Sequence, residues 1–482
     1  MSQRLQLALQ GSRPASAKLQ AVTTIVNRLT NDLESSNLST QQRDTLLEEL
    51  KVHGRDPRDA DPIFTTKSVE TLTRYGFDGP PSTTSRNALK VLCNAMLLKP
   101  DVRQIFVDLG YEDQACERLK NDNREDEFLV SRIIFLTTYG TTINLQGLID
   151  NHGLADTICQ NLARHTTQPS SKAPVDPMTD MALAETLQLL FNITRFCGDR
   201  IDAFAPAVHH LVTLLCQQDI RPTGAPLDQY FKPIIHALMN LKFDGEGAQE
   251  SLFPKSEPDS VANRLIHLLD LAMKFYAEKD LEQTVSPLAL VVLSLYEHAP
   301  DDVRQLMQDK LLPTEEDREK VLGRGDTLAS RLLQNSTNAI APELRKAISH
   351  LLFDMSDKDA SKFIKNVGYG YASGFLFQNN IPIPDQTGSE PVGSEEKATN
   401  PITGQFLDSE KFPDVPEMSE EEKEREAERL FVLFERLKKN GVISVQNPVE
   451  QAVQEGRFEE LPDDYEEDED EDGDDKKKLA RS

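Results

Sequence analysis

The chain contains no tryptophan. Its five cysteines (Cys93, Cys116, Cys159, Cys197 and Cys216) are odd in number, widely spaced and without a CxxC pair. They read as buried, reduced thiols of a cytosolic protein. No stretch approaches the roughly 18 consecutive apolar residues that mark a membrane span. The opening MSQRLQLALQGSRPAS lacks the apolar core of a secretory leader. Catalytic signatures are missing too. There is no GxxxxGK[ST], no GxGxxG after a strand, no HExxH and no GxSxG. No catalytic residue, metal or cofactor is therefore expected.

Three local patterns invite chemistry without completing it. His209-His210 sits in the apolar stretch AVHHLVTLL, with one ring expected to face the core and no second ligand pair at coordination spacing. Residues 368–374, GYGYASG, are Gly-rich but lack the Lys and the preceding strand of a phosphate loop; they read as a turn where backbones approach closely. The acidic cluster 463–475 lacks the spacing of an EF-hand loop. Positive charge is also scarce. The formal net charge is −27, and residues 381–482 carry 30 acidic and 13 basic residues, a net −17. Nucleic acid is thereby disfavoured as a partner, since phosphate contacts need an electropositive surface.

What is present is a recurring helical grammar. An apolar helix ends in Leu-x-Asn or a variant, a polar break follows, then a second apolar run. The six instances span 88–110, 130–153, 185–206, 234–253, 288–307 and 344–368. Their anchors, Leu92, Leu136, Leu190, Leu238, Leu293 and Leu352, are 44, 54, 48, 55 and 59 residues apart. A period of about 40–47 residues with two or three helices is the armadillo/HEAT signature, lengthened here by loop insertions. The expected fold is an all-α, armadillo/HEAT-like superhelical solenoid over 1–377. Such arrays present a long groove suited to another chain.

Two amphipathic helices at 17–34 and 40–52 and a short one at 63–77 precede the repeats. Pro- and Ser/Thr-rich insertions at 165–180 and 253–260 read as loops. A Pro-rich, acidic linker is expected over 378–418. A detached amphipathic helix is expected over 419–440, where Ser419 and Glu422 form a capping box and Gly441 is a stop. Ala427, Leu430, Phe431, Phe434 and Leu437 share its apolar face, which must bury against the solenoid or a partner. The end, 441–482, is a like-charge run expected to be a disordered acidic tail.

Asn94, Asn192 and Asn240 occupy the same place in three repeats. They either bond the backbone of a ligand lying in the groove or bond within their own repeat. Arg86, Lys90, Phe135, Tyr139 and Arg195 lie on the same helices. Together these residues would make a mixed basic, amide and aromatic groove for a peptide carrying carboxylates and apolar side chains.

At these residues the chain resembles the synembryn family, exchange factors and folding chaperones of heterotrimeric G-protein α subunits. RNALKVLCNAML, SRIIFLTTYGT, LQLLFNITR, FIKNVGYGYASGFL and NPITGQ with EMSEEEKEREAERL are similar, in order, to that family's motifs over about 85–440. The acidic end matches no family motif, and the degree of divergence resembles a fungal member. The resemblance implies a regulatory exchange factor and chaperone without covalent catalysis. It implies that the Gα C-terminal helix is held in the concave groove while the tail helix, with Leu430 and Phe434, meets Gα elsewhere. Withdrawing that helix disturbs the loop beneath the guanine ring, GDP leaves, and nucleotide-free Gα is held until GTP rebinds. It further implies a cytoplasmic monomer, recruited to the cell cortex through Gα. Ser389 and Ser394 are the nearest matches to the family's acidic-linker phosphosites, although Lys397 stands at +3 from Ser394. A phosphate there would pair with Arg331, Arg345 or Lys346; an unphosphorylated linker is the other reading. A peptide-binding armadillo adaptor with no effect on nucleotide remains the alternative for the whole chain.

Overall fold

The computed structural model describes residues 16–167, 176–222, 224–228, 230–382, 397, 399–400 and 402–410. Three helices open it: α1 (Ala17–Ser35), α2 (Thr40–His53) and α3 (Thr66–Phe77). The chain then cycles through a three-helix unit. The first turn of the cycle is α4 (Thr83–Leu98), α5 (Asp101–Asp108) and α6 (Glu112–Leu119). The second is α7 (Arg124–Thr137), α8 (Leu145–His152) and α9 (Leu154–Thr166). In the third, α10 (Pro177–Phe196) and α11 (Ala205–Gln217) flank a 3-10 helix, Gly198–Phe204. Next come α12 (Phe231–Met239), α13 (Glu246–Leu252) and α14 (Ser260–Phe275), followed by an extra short helix, α15 (Glu278–Thr284). Two more cycles close the array: α16 (Ser286–His298), α17 (Asp301–Leu311) and α18 (Leu328–Asn335), then α19 (Pro342–Asp354), α20 (Ala360–Val367) and α21 (Tyr369–Gln378). Among the described residues there is no β-strand, only one isolated bridge, Thr399 to Phe406. The all-α solenoid is thus the fold.

The helices start where their chemistry allows. Ser39 and Gln42 form a full capping box on α2. Asn123 caps α7, whose first turn carries Glu125, Asp126 and Glu127 against the positive end of the helix dipole. Pro177 and Pro342 stand at the first position of α10 and α19, where a missing N–H costs nothing.

Two ladders run along the array. The lead helices pack in sequence, α4 on α7, α10, α12, α16 and α19, and α6, α9, α11, α14 and α18 form the second row. Of the leucine anchors, Leu92, Leu136, Leu190, Leu238 and Leu352 are buried. Leu293 is only half-buried, because α16 is apolar all round and buries Leu288, Val291, Val292 and Leu295 instead. A polar clamp recurs eleven residues after three anchors. Arg103 Nε donates to Met96 O at 2.8 Å, Gln249 Nε2 to Phe243 O at 2.6 Å, and Arg304 Nη2 to Glu297 O at 2.7 Å. Each satisfies a carbonyl orphaned at or just past the end of a lead helix. The repeated DVRQ at 101–104 and 302–305 is the sequence trace of this clamp.

Three expectations change. Neither His209 nor His210 is in the core: the first is exposed and bonds Ser251 Oγ at 3.1 Å, and the second is half-buried. Cys216 is exposed on α11, while the other four cysteines are buried; burial pushes the thiols of Cys93, Cys116 and Cys159 up to about 12. The third change concerns the linker. Residues 399–400 and 402–409 return to the last two repeats, with Phe406 only 6% exposed. Arg318 Nη1 donates to Gly404 O at 3.0 Å, Phe406 N to Arg318 O at 2.9 Å, and Gly370 N to Ile402 O at 3.1 Å. The expected tail helix 419–440, the acidic end, Ser389 and Ser394 lie outside the described residues.

The Gly-rich turn makes this docking feasible. Gly368 adopts φ +81°, and a Cβ there would sit 3.1 Å from Gly404 N and Ile402 O. Gly368→Ala should lower Tm and expose 399–409 to protease, at a cost of about 1–3 kcal/mol for the strained backbone alone. Gly374→Ala, in open space within α21, the helix that Gly368 precedes, should be neutral or stabilising. Equal melting temperatures for the two variants would refute this role for Gly368.

Candidate partner-binding surface

The lead-helix ladder is held in register by acids at the start of α7. Asp126 is fully buried. It accepts from Arg86 Nε and Nη2, each at 3.1 Å, from Arg118 Nη2 at 2.7 Å and from Asn121 Nδ2 at 3.0 Å. Arg118 also reaches Gly76 O and, at 2.9 Å, Ser85 Oγ. One carboxylate thus ties α3, α4, α6 and α7 together. Burial alone would push the Asp126 carboxyl up, but the bonds from Arg86 and Arg118 together hold it below the ordinary value. Glu127 beside it behaves likewise. Burial opposes its charge, while His165 at 2.8 Å, Arg124 at 2.7 Å and Thr186 at 2.8 Å favour it, with a lowered pKa as the result. Through Thr186 and His165 it joins α7 to α10 and α9. Arg132 pairs with the buried Glu185 of α10 and stacks 4.4 Å over the Phe128 ring.

The groove candidates divide against this frame. Arg86 is committed to Asp126, and Lys90 Nζ lies 2.6 Å from Glu125. Neither is a free cation facing a ligand. Asn192 is buried; it donates to Thr138 Oγ1 at 2.7 Å, and its Oδ1 accepts from the Tyr139 hydroxyl at 3.3 Å. Asn240 Nδ2 donates to Phe191 O at 3.1 Å and Thr194 Oγ1 at 3.2 Å. Both asparagines therefore reach back across a repeat boundary, a role neither sequence reading foresaw. Asn94 is half-buried on α4, and Arg195 is exposed on α10 with no ion pair among the described residues. Phe135 and Tyr139 meet edge to face at 5.4 Å.

The structure adds residues that the repeat grammar missed. Phe196, 51% exposed, stands perpendicular to Tyr139, itself 43% exposed, at 6.5 Å. Phe191 packs 5.5 Å from His236 of α12. Burial, then the Lys232 ammonium one turn away, draws the His236 imidazole below its usual pKa, so it is neutral at pH 7. Two aromatic groupings thus bridge α7 to α10 and α10 to α12, with the cation of Arg195 next to Phe196. The signal was present in FNITRF (191–196), whose outer two residues are both Phe. A period anchored on the buried Leu190 drew attention to Asn192 instead.

Rings and amides are thus brought together on stacked lead helices. The family model described as guanine nucleotide exchange factor synembryn matches residues 46–457. The chain belongs to the synembryn family. A synembryn-like chaperone of Schizosaccharomyces pombe is 26% identical over 70% of this chain and 66% of its own length. The chaperone Ric-8A of Macaca fascicularis is 27% identical over 84% of this chain and 83% of its own. Among solved structures, a designed armadillo repeat protein aligns at 13% identity over 57% of this chain and 99% of its own, with a TM-score of 0.39. An engineered protein aligns at 15% identity over 75% and 80%, with a TM-score of 0.44. Among the described residues of this synembryn-family chain, no helix is long and apolar enough to cross a membrane.

Asp126→Asn tests the frame under this surface. It strands the buried Arg118 guanidinium, and losing one partner of a buried pair costs about 3–5 kcal/mol. The Asp126 contribution is fully present above the unfolded carboxyl value near 3.9 and is lost as pH falls through the depressed folded value. Urea unfolding should therefore show a large gap between wild type and variant at pH 7 that narrows as the pH drops below about 4. A gap that is constant with pH would mean that the carboxylate charge is not what matters.

Proposed function

We propose that this chain is a non-receptor guanine nucleotide exchange factor and folding chaperone for G-protein α subunits. The observation that carries the proposal is the match to the synembryn family over most of the chain, on a fold whose lead helices offer an aromatic and amide surface. The Gα C-terminal helix would lie along α4, α7, α10 and α12. Phe135, Tyr139, Phe191 and Phe196 would take its apolar side chains, and Arg195 and Asn94 its polar ones. Arg86, Lys90, Asn192 and Asn240 would serve by holding those helices in place. GDP leaves because the factor binds nucleotide-free Gα better than loaded Gα, which is all that exchange requires. Chaperoning follows from the same preference for an incompletely closed Gα. The relatives named as chaperones support that half of the reading.

The helix expected at 419–440, with Leu430 and Phe434, would make a second contact with Gα. Phosphorylation at Ser389 or Ser394 would add charge to the segment before it.

The deciding assay is GDP release from purified Gα with and without the full chain. Acceleration is expected; binding without acceleration would favour the peptide-binding adaptor. The double substitution Tyr139→Ala, Phe196→Ala should weaken a Gα C-terminal peptide about tenfold or more, since central aromatic anchors dominate such surfaces. Truncation after Glu410 should spare peptide binding and sharply reduce exchange on whole Gα, through loss of a tethered second contact. The cut belongs there, not near residue 405, because Phe406 is part of the folded body. Removing only 463–482 should change little. An intact exchange rate after the cut at 410 would rule out the two-contact mechanism.

A further inference from the structure

Asn192 is 2% exposed, so it cannot itself meet a partner. Its two bonds end on consecutive residues, Thr138 and Tyr139, just past the end of α7. There the α-helical ladder gives way to weaker i+3 turns: Thr138 N bonds Phe135 O at 3.2 Å and Tyr139 N bonds Leu136 O at 3.3 Å. Gly140 follows at φ +68° and turns the chain away. A half-exposed Tyr on such a turn has several rotamers open to it. Three neighbours restrict this one. The Asn192 amide holds its hydroxyl, and Phe135 and Phe196 stand edge-on to its ring at 83° and 90°. Asn240 makes the corresponding reach one repeat later, to Phe191 O and Thr194 Oγ1, but it holds no aromatic hydroxyl. The amide in α10 therefore does something that the one just past the end of α12 does not.

We propose that Asn192 is a positioning residue of the partner-binding surface. It touches no partner, but it fixes the Tyr139 ring as a preformed aromatic anchor between α7 and α10. A ring already held in its bound orientation loses little freedom on binding, and affinity gains accordingly. The role rests on the reading of this surface as the Gα site.

The absence of native tryptophan makes the test direct, because Phe196→Trp places a sole indole against Tyr139. In that chain, Asn192→Ala should raise acrylamide quenching, and it should not do so once Tyr139→Ala is also present. Binding of a synthetic Gα C-terminal-helix peptide to the full chain provides the second readout. Asn192→Ala should weaken it by about fivefold, the order of one hydrogen bond. In the Tyr139→Ala background the same change should have almost no further effect on affinity, while still lowering Tm. Tyr139→Phe keeps the ring and deletes only the hydroxyl. It should reproduce part of the loss without disturbing the Asn192–Thr138 bond, which keeps the test valid if Asn192→Ala folds poorly. A merely structural Asn192 predicts the opposite pattern: the same loss of affinity with or without Tyr139, or none while Tyr139→Ala weakens binding. Either result overturns the positioning role. A wild-type chain that does not bind the peptide at all overturns the reading of the surface, and this role with it, whatever the quenching shows.

Discussion

None of these helices can bury its apolar face alone, and that constraint governs the whole molecule. Each repeat's core is completed by the next, so the buried residues form one continuous body from Val22 to Leu376. Stability of this kind is shared between neighbours. It also leaves a problem that apolar packing does not solve, because leucine surfaces slide. The polar cross-bonds supply the register: Asp126 to α3, α4 and α6, Glu127 to α9 and α10, Asn192 to the end of α7, Asn240 to the end of α10. The lead helices can present a defined surface because these few buried and half-buried groups fix their relative positions.

That division explains what could be read in advance. Periodicity reports apolar faces, so the helix ladder, the leucine anchors and the start of the array at Ala17 were legible. The break near residue 377 was legible for helices but misleading for the body. NPITGQF carries no period, and its docking depends on backbone approach at Gly368 and Gly404 and on the half-buried Arg318. Backbone-to-backbone recognition leaves little trace in a hydropathy pattern. The glycines were the one visible sign, and they did indicate a close approach, though not by which segment.

Of the candidate surface, the sequence marked which residues share the lead helices but not what each of them bonds. For the asparagines, ligand contact and bonding within the repeat both stay open in the sequence, because a sequence does not reveal which neighbour an amide faces. Arg86, Lys90, Asn192 and Asn240 all turned out to have intramolecular partners. The exposed rings of Tyr139 and Phe196 are the complement of that finding. Tyr139 was a groove candidate in the sequence and Phe196 was not, because an aromatic side chain inside an apolar helix reads as core until its exposure is seen.

The docked segment 399–409 also has a meaning in time. The cross-repeat side-chain bonds of the lead helices link residues about 40–60 positions apart, so each repeat can lock soon after its successor leaves the ribosome. The bond from Arg318 to Gly404 closes 86 positions. During synthesis α18 to α21 emerge and must wait, with Arg318 lacking its bonds to Gly404 and Phe406, until the chain beyond the linker arrives. The end of the array is therefore the last part to become native and the interval in which a nascent chain is most open to chaperones or proteases.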